Sequence, residues 1–245
     1  MKSAAPIELS QQNYLYVTID LPAAKVPRFT ALMKKLLPMF TAPVPPPSSP
    51  RDLAFGWTLV AAMRTEQGKS TRITHIWQVD PANPPMTSVM EECGTQKNYA
   101  ALDLLVDREE QNFMHSADHY LPNGATWPAR LPRTCAIETL QVTRFPQKLG
   151  NFEVGASLLD SSGMEELALR AQQAHGWTLL LPMTPETGLL RQFVHVWAIG
   201  KGGTANVAAV ARWLRSQPEY RAGVESTTLI PAEPLAYAPA AHSGR

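Results

Sequence analysis

The chain of 245 residues has two cysteines, Cys93 and Cys135. Two thiols can form neither a disulfide framework nor a four-thiolate metal site, so a reducing, cytoplasmic setting is expected. No run of about 18 apolar residues is present, which excludes a membrane-spanning helix. Charge of one sign is also lacking. The 22 Lys and Arg against 21 Asp and Glu give 22 − 21 = +1, and a protein living on phosphate contacts would carry a basic excess, so no nucleic-acid partner is expected. Met1–Ser10 holds one lysine and no apolar core, unlike a secretory leader.

Several catalytic signatures are missing as well. There is no Walker A sequence and no G-x-G-x-x-G fingerprint. Gly200–Gly203 (GKGG) has the wrong spacing for a phosphate loop, and Gly155-Ala156-Ser157 lacks the closing glycine of a nucleophile elbow. Neither cysteine has an adjacent basic residue to mark a thiolate. Glu91-Glu92 reads as a solvated helix face. His115 and His119 (HSADH) have helical i, i+4 spacing but fall at a strand end and a linker, so no metal site is assigned to them.

What the sequence does have is proline, 22 residues, clustered in Ala42–Pro50 and Pro231–Pro239 as loop and tail. It also has an internal repeat. Gly56–Asp80 and Gly176–Gly200, offset by 120 residues without a gap, share 9 identities in 25, including both tryptophans, where chance gives roughly 1 or 2. Each copy reads as a β-hairpin: Trp57–Arg64 with Arg72–Val79, and Trp177–Met183 with Gln192–Ile199. Pro182 hints at a strand end or edge.

The flanks repeat the scheme. Tyr14–Asp20 alternates as a strand, and a helix follows with Val26, Phe29, Leu32, Met33, Leu36 and Leu37 on one face. Cys135–Thr143 and Met164–His175 are their counterparts, the helix ending at Gly176. Met86–Val106 and Ala205–Ser216 read as second helices, Glu109–Ser116 and Glu225–Ile230 as fourth strands. The order β-α-β-β-α-β therefore occurs twice, the split βαβ arrangement. The expected class is α+β: tandem ferredoxin-like repeats whose bare sheet faces cover each other as a fused dimeric α/β barrel. The expected units are residues 1–120, residues 134–232 and a flexible tail at 233–245. A homodimer of the whole chain is compatible with this plan.

The strand endings His75-Ile76-Trp77 and His195-Val196-Trp197 resemble the NIPSNAP family of the dimeric α/β-barrel superfamily. In the second copy Arg212, Trp213, Arg215, Pro218, Glu219 and Tyr220 follow as that family's pattern has them; the first copy departs from it with Pro84-Pro85. The resemblance spans roughly Tyr14–Ile230 and supports the fold more than an activity. It implies a superfamily of cofactor-independent monooxygenases, haem-degrading enzymes, isomerases and cyclases. Its haem-degrading members use a histidine on the second helix, and Met86–Val106 and Ala205–Ser216 contain none. No cofactor and no metal are therefore expected.

Alternation puts His75 on one strand face with Ile73 and Trp77, and His195 with Phe193 and Trp197. An imidazole in a dry pocket beside an indole can act as acid or base and the indole can stack on a planar substrate. The candidate catalytic residues are His195 and His75. The candidate substrate-binding residues are Trp77, Trp197, Tyr14, Trp57 and Trp177. The sequence thus points to an enzyme acting on a small apolar or aromatic molecule by oxygenase-type or isomerase/cyclase chemistry, in a pocket either between sheet and helices or between the two sheets. The alternative is a binding or assembly protein in which the same histidines and tryptophans are core.

Overall fold

The computed structural model describes residues 13–41, 55–79, 97–116, 139–146, 161–185, 192–199, 202–203, 206–217 and 228–235. Strand β1 (Asn13–Pro22) leads through a 3-10 turn into α1 (Val26–Thr41). The hairpin β2 (Thr58–Gln67) and β3 (Ser70–Val79) is followed by α2 (Lys97–Asp103) and β4 (Arg108–Ser116). Then come β5 (Thr139–Pro146), α3 (Ser161–His175), the hairpin β6 (Trp177–Pro185) and β7 (Gln192–Ile199), α4 (Val207–Ser216) and β8 (Thr228–Pro234). Asn206 caps α4, its side chain accepting the Ala209 amide at 3.1 Å.

All eight strands are antiparallel to their neighbours and close into one barrel in the order β1-β3-β2-β8-β5-β7-β6-β4. Read from β4 and from β8, each run of four has the order fourth, first, third, second. The two runs meet at short seams. At one, Met63 and Arg64 pair with Pro234 and Glu233; at the other, Met114–Ser116 pair with Met183–Pro185. Pro182 lies one residue outside the second seam, and Pro231 lies beside β5 but outside the first. A missing N–H is tolerated where a strand is locally an edge.

The two hairpins share irregularities as well as sequence. Each first strand bulges at the same place, between Leu59 and Ala61 and between Leu179 and Leu181. Gly56 and Gly176, which open them, both have positive φ, 64° and 69°. Trp57–Trp77 and Trp177–Trp197 lie 6.2 and 6.3 Å apart between ring centres.

Burial on two faces organises the barrel. Tyr14, Tyr16, Met63, Ile76 and Met114 meet Leu181, Met183, Val194 and Val196 from the other run, so these fill the interior. The opposite faces of β1 and β3 pack on α1 and α2 through Leu15, Val17, Ile19, Ile73 and Trp77. A third cluster joins Trp177, Leu179 and Trp197 to Leu167 and Ala171 of α3 and Val210 and Leu214 of α4. The buried stripe of α1 is Val26, Phe29, Met33, Leu36 and Phe40, with Leu32 and Leu37 only flanking it. On the face shared with Tyr14 and Tyr16, Arg72 of β3 donates twice to Asp20 of β1, directly opposite, at 2.7 Å each.

Some elements differ from the sequence reading. The fifth strand is shifted toward the C-terminus, to Thr139–Pro146, and the eighth runs through Pro234. Leu235 is then buried in the first core cluster, its amide donating to Ala62 O at 2.9 Å, so three residues assigned to the tail belong to the barrel. Of Met86–Val106, the described helix is Lys97–Asp103. The proline-rich Ala42–Pro50, the linker Asp118–Arg133, Pro84-Pro85, Glu91-Glu92, both cysteines and His119 lie outside the described residues. His115 is in β4, where helical spacing has no meaning. Among the described residues no group of three His, Cys, Asp or Glu could hold a metal, and no helix is long and apolar enough to cross a membrane.

Gly176 ends α3 with its amide on Gln172 O at 2.9 Å, and a Cβ there would lie 2.8 Å from Gly203 Cα. Gly68, in the first hairpin turn, has the same φ of 69° with nothing within 4 Å of a Cβ. Gly68→Ala is therefore expected to cost about 1 kcal/mol, the left-handed penalty alone, and Gly176→Ala at least twice that. Urea unfolding of both variants checks this; equal losses would contradict the close approach at Gly176.

Candidate functional site

The side chains that the repeat singles out lie on the outer, helix-covered face of the barrel. In β1, Val17 pairs with His75 and Leu15 with Trp77, so the odd-numbered residues of β1 share their face. His75 is 2% exposed. Its ring lies 6.1 Å from Phe29 of α1 and 5.9 Å, edge-on, from Trp77. Trp77 in turn belongs to an aromatic cluster with Phe40, Phe55 and Trp57, centres 5.2–6.2 Å apart. The chain returns to the end of α1 to build it: Phe55 N donates to Met39 O at 3.2 Å and Trp57 N to Phe40 O at 2.8 Å.

A pocket of about 60 Å³ lies here, between the sheet and the two helices. Leu15, Val17, Ile19, His75, Trp57 and Trp77 form its floor. Met33, Leu36 and Phe40 of α1 and Tyr99 and Leu102 of α2 form its roof, and Glu109 and Gln111 of β4 border it on the exposed side. Gln111 donates a hydrogen bond to Glu109. Thirteen lining residues include a single charged one, so the pocket is apolar with a few polar groups, as small-molecule sites are.

His75, Trp57 and Trp77 are thus brought together. Tyr14 is not. It pairs with Gln78 and Met114 and points into the barrel interior, fully buried on the face opposite His75. Alternation alone could not say which face Tyr14 would occupy relative to His75, because both faces of β1 are apolar. His195, Trp177 and Trp197 form the matching cluster of the second run, His195 lying 6.2 Å from Trp197, and are packed under α3 and α4 in a separate core. The sequence reading missed Phe40, Phe55, Tyr99, Glu109 and Gln111. Phe40 and Phe55 flank the proline-rich segment, an available signal; Tyr99, Glu109 and Gln111 carry none.

Burial decides the charge state of both histidines. Desolvation by burial, which disfavours the charged imidazolium, pushes His75 and His195 from 6.5 down to about 3. Both rings are neutral at pH 7. Each can accept or donate a hydrogen bond, and neither is poised to titrate near neutrality.

Among solved structures, a provisionally named chlorite dismutase superposes with a TM-score of 0.56 at 14% identity, over 91% of this chain and 95% of that one. A haem-binding protein of Thermus thermophilus gives 0.52 at 10% identity over 92% of each. A provisionally named monooxygenase of Fusobacterium nucleatum gives 0.51 at 9%, over 93% and 94%. At such identities the likeness is one of fold alone. No family model matches the chain, and no curated protein is significantly similar to it in sequence.

Among the described residues nothing stands as a haem ligand: α2 and α4 contain no histidine, and His75 and His195 are strand residues only 2% exposed.

The depressed histidines make stability pH-dependent. Between pH 6.5 and about 3 the unfolded chain binds protons that the folded chain refuses, so stability is fully present above 6.5 and falls as the pH is lowered. Each histidine contributes a slope of about 1.4 kcal/mol per pH unit in that window. Urea unfolding at pH 7, 6 and 5 should show the gap between wild type and His75→Leu changing by about that slope below pH 6.5. A gap independent of pH would contradict the burial of a neutral His75.

Proposed function

We propose that the chain is an oxygenase-type enzyme acting on a small, planar, largely apolar molecule held between α1, α2 and the outer face of β1 and β3. The observation that carries this is the pocket itself: an apolar, aromatic slot whose floor presents the buried imidazole of His75 beside Trp57 and Trp77. The fold it shares with monooxygenase-type structures supports the same reading. Catalysis would need no bound cofactor. Molecular oxygen is the oxidant and an activated methylene of the substrate the reductant. Two C–H bonds give way to a carbon–oxygen double bond, one oxygen atom stays on carbon and the other leaves as water. His75 takes up the substrate proton and returns it to the departing oxygen. Its low basicity restricts the reaction to substrates whose carbanion or enolate is strongly delocalised. Trp57 and Trp77 stack on the ring, while His195, Trp197 and Trp177 hold the second core.

We further read the chain as a tandem duplication, with units at residues 1–120 and 134–235 fused into one barrel and working in the cytoplasm as a monomer or a homodimer. The 9 shared identities and the matched bulges and glycines support it. The His-x-Trp repeat is also the support for a NIPSNAP-like ancestry.

A second reading, binding without turnover, is favoured by the small size of the pocket and by the distance of His75 from neutral titration. Oxygen uptake with probes bearing a doubly activated methylene, such as an anthrone, separates the two. The enzyme reading expects consumption that falls about a hundredfold in His75→Ala and persists in His195→Ala. Tight binding of the probe with no oxygen uptake would select the binding protein. Full turnover by a folded His75→Ala would remove His75 from the mechanism.

A further inference from the structure

Two sets of surface charges on the first run are unmatched within the chain. The helix α1 carries Arg28, Lys34 and Lys35, all exposed, and holds no Asp or Glu. The corner between α2 and β4 has the opposite sign. Asp103 and Asp107 are exposed there, while Arg108 of the same corner is taken up by Glu110, and Glu109 by Gln111. Among the described residues none of Arg28, Lys34, Lys35, Asp103 and Asp107 makes an ion pair or a side-chain hydrogen bond. Between the two aspartates stands Leu104, 80% exposed. A lone surface leucine is ordinary; this one is set between unpaired carboxylates, beside a helix of unpaired cations.

Spacing keeps the two sets apart in one molecule. The acidic corner joins α1 at its head, where Lys25 Nζ donates to Leu105 O at 3.5 Å. Lys34 and Lys35 lie nine and ten residues beyond Lys25, about 14 Å along the axis. Helical periodicity puts Pro27, Ala31, Lys34, Lys35 and Pro38, all exposed, on the side of α1 opposite the buried Phe29, Met33, Leu36 and Phe40. Ala31 is at the middle of that side, so a second helix meets it without a large group in the way. Charge along this side runs from negative at the head of α1 to positive at its middle. Such a gradient is complementary to itself when two copies lie antiparallel, as a twofold axis places them.

We propose that the outer side of α1 and the Asp103–Asp107 corner form an interface with a second copy of this chain, about a twofold axis near Ala31. Asp103 and Asp107 face the partner's Lys34 and Lys35, the reverse pairing follows by symmetry, and Leu104 is covered between them. Charge complementarity is the argument for this occupant. An anionic surface of another kind would use the cations alone and leave Leu104 and the aspartates without a role. With α1 only 16 residues long, about 24 Å, the contact is small, and the charges set partner and register more than strength. The dimer is therefore weak and sensitive to salt.

Sedimentation velocity of the full-length chain across micromolar concentrations tests it. The wild type should show a monomer–dimer equilibrium that weakens about tenfold when salt is raised from about 0.05 to about 0.5 M. Lys34→Glu with Lys35→Glu in one chain should weaken it by about tenfold or more, and Asp103→Lys with Asp107→Lys in another should do the same. An equimolar mixture of these two variants should dimerise again, because each then offers what the other lacks. All four positions are exposed and none lines the pocket, so fold and ligand site are left intact. A chain monomeric throughout, a dimer indifferent to both reversals, or reversed variants that stay monomeric when mixed would overturn the inference. So would a monomer that binds anionic phospholipid vesicles through Lys34 and Lys35 and ignores the aspartate reversal; α1 would then be a membrane-facing surface.

Discussion

The whole arrangement depends on a sheet that is covered on both sides. A ferredoxin-like run of four strands has one face for its own helices and a second that is left bare. Here the second face is hidden by closing two runs into a single barrel, so that Tyr14, Tyr16, Met63 and Ile76 meet Leu181, Val194 and Val196 inside. The seams are short, two and three residue pairs. The burial of apolar side chains in the interior, rather than the hydrogen bonds of the seams, therefore holds the runs together. Among the described residues the interior is lined by this buried cluster, and the pocket described above lies outside it, under the helices.

The two helical layers are not alike. In the second run α3 ends directly on Gly176 and presents Ala168 and Ala171 to the sheet. Small side chains let a helix lie close to what it covers. In the first run α1 presents Phe29, Met33, Leu36 and Phe40. Phe55 and Trp57 then come back to the helix end and stack with Phe40. Bulky residues on a helix face pack less completely over a flat apolar floor, and the cavity beside His75 is where they fail to meet.

Much of this was legible in the residues. The hairpins stood out because apolar strands with a Gly-containing turn recur with the same tryptophans 120 residues apart. The pairing of His75 with Trp77 on one face followed from alternation alone. Which face that was did not follow. In a strand solvated on one side, polar residues mark the outside, but β1 and β3 are buried on both, so Tyr14 and His75 looked equally suited to a pocket. The end of the last strand was read as tail because Pro231 and Pro234 read as breakers; Pro231 lies beside the short seam and Pro234 pairs with Met63 within it. The Glu109 rim was invisible for a simpler reason. A carboxylate on an exposed strand position has no signature until the pocket beside it is known.

The central claim is that a cavity lies on the outer face of the first run, against His75 and Trp77, while Tyr14, Met114 and Val196 pack together in the interior. Pressurising crystals with xenon tests it most directly, since the gas enters dry apolar voids and reports their position without demanding a particular chemistry. The account predicts a xenon site between α1, α2 and the β1–β3 face, within contact of Trp77 and Met33. Xenon lodged among Tyr14, Met114 and Val196 instead, with that slot left empty, would contradict it.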